Sequence, residues 1–533
     1  MKTIIFVGTQ KSGSSREAIR AAENMGFYTV VFADQPRQKE QRTEYPDVHL
    51  LILCDLNNID ELRNQIRNLI IRGLEISAII SFTDPHCYMA SLLAEEFCEG
   101  RFSTQAIGNM EDKIKSRKII SSLPFSPSFA VLSENLSHSS IPDMFKGKFP
   151  FIIKSPNSTG SKDVFKVTSE IQFEKLCNKL SKRYPEQPIL IEEYLDGPQY
   201  LVEVVVYKNH IHVIAIFKQE ITFQRRFIVT GYSLQPSSSA FLEELKEAVE
   251  SIVKAFGMEM GTCHLEIRHV PGGWKLIEIN PRISGGGMNR LIGYGLGINL
   301  VKETIKMALG QEPDLQPKKL QHVFAQYVTV SRSGILKKVT GKRKALQFPG
   351  VLEVYIKPRK GAFLIPPLSM GNRYAYVIAE GESEENAKEN AKNAASLIKF
   401  HLTTDEDISE DNPTQESSQT TVDACGNNLF QQEHGQITGK DINWDKPIQE
   451  SSQTTVDACD NNLFQQEHGQ ITGETKTDDD SNLKCCDALK NTFGVIKRWN
   501  SIMVKMLILL QRESVKKTRK TMKGIMYHWL NSA

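Results

Sequence analysis

The most informative part of the sequence is the stretch Glu266-Ile-Arg-His-Val-Pro-Gly-Gly-Trp-Lys-Leu-Ile-Glu278-Ile-Asn280-Pro-Arg282. Two apolar segments flank a Pro-Gly-Gly triplet, a pattern that predicts a β-hairpin. Glu278 and Asn280 lie two residues apart in the second strand, so their side chains share a face, while Glu266 lies in the first strand. We expect the three oxygen-bearing side chains to converge and to bind a hard cation such as Mg²⁺.

Arg282 follows the acidic strand, and its planar guanidinium suits a carboxylate or a phosphate. Two carboxylates, an amide and an arginine together indicate metal-assisted phosphoryl chemistry. The alternative is a surface hairpin with ordinary charges. The apolar residues of the second strand argue against that alternative: Leu276, Ile277 and Ile279.

A second pattern lies upstream, where a predicted buried strand over 149–154 ends in Lys154 and a polar loop of small residues follows. Such a loop can bring backbone N–H groups close to phosphates, and Lys154 can supply a positive charge. An ordinary surface hairpin has a similar composition, so the loop alone is not specific.

Residues 1–105 alternate between strand and helix patterns, which predicts a parallel, doubly wound sheet. The predicted strands are Ile4–Val7, Tyr28–Phe32 and Ala78–Phe82, and the predicted helices are Ser14–Met25 and Tyr88–Cys98. Residues 8–13 lack the G-x-G-x-x-G spacing of dinucleotide-binding loops, which argues against NAD.

The order of these features resembles the ATP-grasp superfamily of carboxylate–amine ligases, and the resemblance extends from Met1 to about Leu402. Residues 106–117 resemble the segment that opens the nucleotide site, and 191–198 resemble the adenine-binding hinge. Residues 261–266 and 277–287 resemble the metal and substrate strands. The chain is most similar to the bacterial L-amino-acid ligases, which make dipeptides. Biotin carboxylases share the Glu/Glu/Asn/Arg pattern, which therefore does not choose between the two.

The resemblance implies a set of site residues. Catalysis would involve Arg282 and Lys154, and Mg²⁺ or Mn²⁺ would bind Glu266, Glu278 and Asn280. ATP would contact Lys113, Lys154, Ser158, Thr159, Gly160, Ser161, Lys162, Glu192, Glu193, Tyr194, Leu195, Gln199 and Glu203. The carboxylate substrate and its acyl-phosphate would contact His264, Arg282, Ser284, Gly285, Gly286 and Gly287.

Two of these positions, and a residue next to the phosphate loop, have a second interpretation or depart from the family pattern. His264 is either a substrate contact or a buried histidine whose ring nitrogens are satisfied. Gln199 stands where the family often has an acid that bonds the ribose, and Asp163 stands where a glycine is common.

The implied fold is a multidomain α/β and α+β protein with an ATP-grasp core. We expect an N-terminal Rossmann-like domain over 1–105, an ATP-grasp domain over 106–310 with a lid at about 125–195, and a mixed α/β cap over 311–402. The implied activity is an ADP-forming, Mg²⁺-dependent ligation of a carboxylate to an amine through an acyl-phosphate, with amino acids as the expected substrates. The alternatives are a biotin-carboxylase-like enzyme that activates bicarbonate, and a non-catalytic nucleotide-binding scaffold.

Composition agrees with a cytoplasmic enzyme. The net charge of +2 argues against a generally basic nucleic-acid-binding protein. The nine cysteines are scattered and contain no Cys-x-x-Cys pair, which favours reduced thiols. The apolar run at residues 1–8 is too short for a signal peptide. A homodimer is one possible assembly.

Beyond residue 402 the composition changes. A polar linker is expected over 403–483, where residues 415–439 recur as 449–473 with one substitution. The polarity predicts disorder. Residues 484–533 carry eleven Lys or Arg beside an apolar run, which predicts a basic amphipathic helix. An anionic membrane surface or a protein partner is the expected target, nucleic acid is less favoured, and a helix packed on its own core is the alternative.

Overall fold

The first hundred residues form the parallel sheet that the sequence predicts. The computed structural model describes residues 1–100, 102–132, 141–155, 163–185, 187–223, 226–235 and 239–403. The sheet has the order β3-β2-β1-β4, and every neighbouring pair in it is parallel. Its elements are β1 (Lys2–Val7), α1 (Ser14–Asn24), β2 (Tyr28–Ala33), α2 (Pro36–Glu40), β3 (Leu50–Leu53), α3 (Ile59–Ile71), β4 (Glu75–Ile80) and α4 (Cys87–Phe97).

Two short helices lead into a separate four-stranded sheet with the order β5-β8-β6-β7. Apolar side chains of this sheet, such as Phe151 and Ile191, pack against Phe173 and Leu180 of the helix that covers it. The elements are α5 (Thr104–Glu111), α6 (Lys113–Ile119), β5 (Phe129–Leu132), β6 (Phe151–Lys154), β7 (Val164–Val167), α7 (Glu170–Arg183) and β8 (Ile189–Glu193).

The third part is a sheet of eight antiparallel strands in the order β13-β12-β9-β10-β11-β14-β18-β16. Its first elements are β9 (Gln199–Tyr207), β10 (His210–Phe223), β11 (Phe227–Leu234), α8 (Ala240–Ala255), β12 (Gly261–Val270), β13 (Gly273–Asn280), α9 (Met288–Leu296), α10 (Leu300–Ala308) and β14 (His322–Val328).

The remaining elements complete this sheet and add a small sheet of order β17-β15-β19. They are β15 (Gly334–Thr340), α11 (Lys342–Leu346), β16 (Val351–Ile356), β17 (Phe363–Leu364), β18 (Ala375–Gly381), α12 (Glu384–Ser396) and β19 (Lys399–Thr403). The side chain of Ser383 accepts a hydrogen bond from the Asn386 N–H and so caps α12. Short 3₁₀ helices occur at Arg42–Glu44, Asp143–Phe145 and Met370–Asn372.

Alternation along β9 gives the large sheet two different faces. Val202 and Val204 pack in a core with α8, whereas Leu201 and Val205 pack in a core that includes residues of the N-terminal sheet and of α9 and α10. Gln199 and Glu203 belong to this second face. The side chains of Gln199 and Glu203 therefore face the N-terminal domain.

No helix in the described ranges is long and apolar enough to cross a membrane. The predicted linker beyond Thr403, its repeats and the basic tail lie outside the described residues.

Candidate active site

The predicted hairpin is confirmed as β12 and β13, joined at Pro271 and Gly272. Glu266 is the cross-strand partner of Glu278, and His264 is the partner of Asn280. The four side chains therefore share one face of the sheet, as the two-residue periodicity predicts.

The two carboxylates of this pair repel each other. Burial, and then the charge of Glu278, raise the pKa of Glu266 to about 7, while Arg268, Arg373 and Lys154 oppose the rise. The Nζ of Lys113 lies 3.9 Å from Oε1 of Glu278. Among the described residues, this is the one ion pair that either acid makes. Two such acids on adjacent strands suit a divalent cation.

Gln199 connects the acid pair to an arginine. Its Nε2 donates to Oε2 of Glu266 at 2.9 Å, and its Oε1 accepts from Nε of Arg268 at 2.8 Å. Arg268 also donates to the carbonyl of Leu195. If an acid replaced Gln199, the hydrogen bond donated to Glu266 would be lost and a third carboxylate would be added to the pair. This gives a physical reason for a neutral amide at position 199.

His264 is a satisfied buried histidine in this structure. Its Nδ1 lies 2.8 Å from the carbonyl oxygen of Arg282, and its Nε2 lies 3.3 Å from Nδ2 of Asn280. A carbonyl can only accept, so Nδ1 carries the proton and Nε2 accepts from Asn280. Burial, together with the charge of Arg282, lowers the pKa of His264 to about 4, so the ring is neutral. The histidine thereby orients the Asn280 amide and leaves its oxygen for another ligand.

Arg282 lies in the loop after β13, where its N–H donates to the carbonyl of Asn280 at 2.9 Å. Its guanidinium donates two hydrogen bonds to the carboxylate of Asp84, one of them 2.9 Å long from Nε to Oδ1. Burial opposes ionisation of Asp84, but Arg282 outweighs it and holds the pKa of Asp84 below its usual range. An acid from the N-terminal domain therefore occupies the fork that the resemblance assigns to substrate.

Glu203 lies beneath the glycine loop. It is completely buried, and it accepts hydrogen bonds from the N–H of Ser284 at 3.2 Å and from the Ser284 hydroxyl. Burial raises the pKa of Glu203 to about 7. Its carboxylate faces Ser284, so it anchors the loop that begins at Arg282.

The glycine loop also touches the N-terminal domain. A Cβ on Gly13 would lie 2.9 Å from the N atom of Gly286, a distance that side chains do not tolerate. The Gly287 N–H donates to the Tyr327 hydroxyl at 3.3 Å. Small residues at these positions let two backbones meet at the site.

Lys154 ends β6 inside a buried group of charges. Its Nζ lies 2.7 Å from Oε2 of Glu192, and Nε of Arg117 lies 2.5 Å from Oε1 of the same residue. Burial would raise the pKa of Glu192, but Arg117 and Lys154 hold it below its usual range. Burial lowers the pKa of Lys154. The Glu192 side chain is thus a bridge between two cations.

The hinge that follows β8 has side chains with local partners. The Glu193 carboxylate accepts from the Ser128 N–H at 2.9 Å, and the Tyr194 ring lies under the Lys166 ammonium at 3.8 Å. Leu195 is buried. The predicted phosphate loop, Ser158, Thr159, Gly160, Ser161 and Lys162, lies outside the described residues.

Gln219 is buried beside this site. It pairs with Gln199 on one neighbouring strand and with Tyr232 on the other. Neither polar atom of its amide has a partner among the described residues. A polar ligand on this face of the sheet would satisfy such a group.

Four residues that the structure brings to the site were not predicted from the sequence. Arg117 follows Lys113 by one helical turn and Arg268 follows Glu266 by two residues, so periodicity carried a signal for both. Asp84 follows a parallel strand at its carboxyl end, where ligands of such sheets often bind. Arg373 carried no sequence signal, because more than ninety residues separate it from the hairpin.

Comparison with known families agrees with this arrangement. Residues 147–290 match the family described as the ATP-grasp domain, and residues 326–403 match the L-amino acid ligase C-terminal domain 2. The chain contains an ATP-grasp domain. The resemblance to the ATP-grasp superfamily and to its L-amino-acid ligases, inferred from the motifs, is thereby confirmed.

Individual relatives are distant. This chain is 25% identical to the protein y4rH of Sinorhizobium fredii (strain NBRC 101917 / NGR234) over 221 residues, which is 41% of this chain. Over 269 residues, 48% of this chain, it is 22% identical to the L-arginine-specific L-amino acid ligase of Bacillus subtilis. The alignments span 45% and 64% of the two relatives.

A solved structure shares the fold. The crystal structure of the L-amino acid ligase from Bacillus licheniformis aligns with a TM-score of 0.64 and 18% identity, and the alignment covers 76% of this chain and 99% of that one. The ATP-grasp fold class predicted from the sequence is confirmed.

Proposed function

We propose that this protein is an ATP-dependent ligase that joins the carboxylate of one amino acid to the amine of another and releases ADP and phosphate. The observation that carries this proposal is the cross-strand pair of Glu266 and Glu278, with Lys113 beside it on one side. The matches to the ATP-grasp domain and to the L-amino acid ligase C-terminal domain support it.

The donor set fits a divalent cation. The charge of Glu278 helps to raise the pKa of Glu266, and a dication would relieve the repulsion that causes this. Glu266, Glu278 and the oxygen of Asn280 would hold Mg²⁺ or Mn²⁺. When bound, the ion would neutralise charge on the phosphoryl group in transfer.

Two lysines would bind the phosphates of ATP. Lys154 is held by Glu192, which Arg117 holds in turn, so its ammonium has little freedom and costs little to position. Lys113 begins α6, where Asp112 caps the helix. From the resemblance, Ser158–Lys162 would close over the phosphates, and Glu193, Tyr194, Leu195 and Gln199 would line the adenosine side.

The pair of Asp84 and Arg282 suits an amino acid as the carboxylate substrate. A zwitterion has opposite charges next to each other, so its carboxylate can bind Arg282 while its ammonium binds Asp84. Bicarbonate has no cation to offer Asp84, which favours an amino acid over the carboxylase alternative.

The reaction would proceed in two balanced steps. A carboxylate oxygen bonds to the γ-phosphorus of ATP while the bond from that phosphorus to ADP breaks. The amine nitrogen of the second substrate then attacks the acyl carbon, the bond to the phosphate oxygen breaks, and the nitrogen loses a proton to solvent. Residues Arg282 and Ser284–Gly287 would hold the acyl-phosphate away from water.

The five cysteines of the described ranges are buried, and none of them forms a disulfide. This supports a reducing compartment, and we propose a cytoplasmic location.

The test is a panel of the twenty L-amino acids, offered singly and in pairs with ATP and Mg²⁺. We expect ADP release that depends on amino acids and a product of dipeptide mass. Glu278→Gln should abolish turnover while the thermal melt stays cooperative, and Glu259→Gln, an exposed acid outside the site, is the matched control. ATP turnover that depends on bicarbonate alone, or full activity of Glu278→Gln, would contradict the proposal.

A further inference from the structure

A cavity of about 350 Å³ opens between the N-terminal domain and the far end of the large sheet. Its lining includes the loop before α1, Gly286, Tyr327, Tyr376, Lys357 and Arg373. The volume lies in the range typical of small-molecule sites, roughly 300–1,000 Å³. Because Gly286 belongs to the glycine loop, a molecule in this cavity would approach the acyl group that the loop is proposed to hold.

The cavity is rich in cations, and three of them are neutralised by nearby carboxylates. Lys11 lies 3.4 Å from Glu44, Arg16 is paired with Asp47, and Arg290 lies 3.3 Å from Glu17. The acid Glu353 accepts hydrogen bonds from the hydroxyls of Tyr376 and Tyr294.

Lys357 and Arg373 differ from these cations, because neither has a carboxylate within ion-pair distance among the described residues. Nζ of Lys357 donates to the carbonyl of Gly371 at 2.9 Å, and Nε of Arg373 donates to the carbonyl of Met370 at 3.2 Å. Both cations are thus held by the same short turn at the cavity wall.

Arg373 is positioned by aromatic and carbonyl groups. Its guanidinium carbon lies 3.9 Å from the centroid of the Tyr327 ring, and Nη1 lies 3.2 Å from the carbonyl of Val229. These contacts fix the plane of the guanidinium and still leave donor capacity at Nη2. A Cβ on Gly286 would lie 4.0 Å from that Nη2, which places it beside the glycine loop.

The two cations also repel each other. Partial desolvation at the cavity wall, and then the charge of Arg373, lower the pKa of Lys357. An anion between them would bond to both and relieve the repulsion.

We propose that this cavity binds the amine substrate of the ligation and that Lys357 and Arg373 hold a carboxylate of that substrate. The inference rests on the proposed function and identifies the amine substrate as an amino acid recognised through its own carboxylate. Arg373 supplies a fixed fork, and Lys357, at the exposed mouth, supplies a second charge. The amine would then point toward the glycine loop.

The test compares each accepted amino acid with its α-carboxamide, which keeps the amine and lacks the negative charge. In the wild-type protein the KM of the carboxamide should exceed that of the amino acid by at least about tenfold, a difference of about 1.4 kcal/mol. Lys357→Met should raise the KM of the amino acid severalfold and change that of the carboxamide less than about twofold. Lys360→Met, an exposed lysine outside the cavity, is the matched control.

A second variant tests the other cation, Arg373. Arg373→Lys keeps the charge and loses the fork, so it should also weaken the preference for the acid over the carboxamide. If wild-type protein uses both forms equally well, or if both variants raise the two KM values by the same factor, the assignment of the cavity is wrong.

Hydroxylamine separates this inference from the proposed function. It needs no carboxylate site, and it converts an acyl-phosphate to a hydroxamate. Hydroxamate formation by the wild-type protein without a preference for acids over carboxamides would overturn only the cavity assignment. A lack of both hydroxamate and ADP with every amino acid would overturn the proposed function.

Discussion

At the scale of single residues, Glu203 shows how the site is supported from below. Its carboxylate is fully buried, and Ser284 donates to it from both the backbone and the hydroxyl. The side chain therefore connects the central strand β9 with the loop that carries Arg282. Arg282 in turn reaches Asp84 in the N-terminal domain.

Glu203 should make stability depend on pH. Its pKa rises from 4.5 to about 7 on burial, so the folded state binds the proton more tightly than the unfolded state. This contribution is complete below pH 4.5 and is lost as the pH rises toward 7. Glu203→Gln stays neutral at every pH, so its unfolding temperature relative to that of the wild type should be higher at pH 8 than at pH 5. The corresponding change in the relative free energy of unfolding is on the order of 3 kcal/mol.

Thermal melts of the two full-length proteins between pH 5 and 8 measure this difference. Other titrating groups are common to both proteins and cancel in the comparison. Parallel curves over the whole range would show that Glu203 does not titrate as its burial implies.

The sequence predicted some of the site residues and not others, for a physical reason. Glu266, Glu278 and Asn280 lie on one hairpin, where local periodicity fixes which side chains share a face. Asp84 and Arg373 reach the site from other parts of the chain, and only tertiary packing brings them there. His264 was left with two interpretations, because its hydrogen-bond partner in the Arg282 loop could not be known from spacing.

At the scale of elements, the hairpin and three of the four strands of the N-terminal sheet were predicted to within a few residues. Strong alternation and turn residues determine such elements locally. Strand β3, Leu50–Leu53, was not predicted, because its short apolar run has no clear period. The contact between the loop before α1 and the glycine loop was also not predicted, since it joins segments far apart in sequence.

That contact gives a prediction with a matched control at the other end of α1. Gly13 and Gly26 have φ angles of 83° and 84°, so alanine is similarly strained at both. A Cβ on Gly13 would meet Gly286, whereas a Cβ on Gly26 would have no atom within 4 Å. Both Gly→Ala variants should lose about 1 kcal/mol of stability from strain, but only Gly13→Ala should also lower the rate of ligation.

The comparison uses thermal melts and initial rates of ADP release for the two variants. Equal rates for Gly13→Ala and Gly26→Ala would show that the contact with Gly286 is structural and has no influence on the reaction.

At the scale of the whole molecule, the candidate site side chains that the structure describes lie on one face of the large sheet or next to it. One hydrophobic core connects this face with the N-terminal sheet, including Ile4, Leu201 and Leu291. The sequence predicted the order of these parts through its motifs. It could not predict how the cap contributes Lys357 and Arg373 to a cavity shared with the N-terminal domain.

The segment after β19 should be separable from catalysis. Every residue proposed to bind substrate, ATP or metal precedes Thr403, and the repeats that follow are too polar to pack. A protein that ends at Thr403 should keep kcat and KM within about twofold of the full chain, as measured by ADP release. A large loss of activity in a shortened protein that still melts cooperatively would show that the segment contributes to the site.

The most direct test of the central claim follows an oxygen atom. The carboxylate of the donor amino acid is labelled with ¹⁸O, and the phosphate released during ligation is analysed by mass spectrometry. Activation through an acyl-phosphate predicts that one labelled oxygen moves from the carboxylate to each phosphate, together with one ADP per amide bond. Unlabelled phosphate, or AMP and pyrophosphate in place of ADP, would contradict the account.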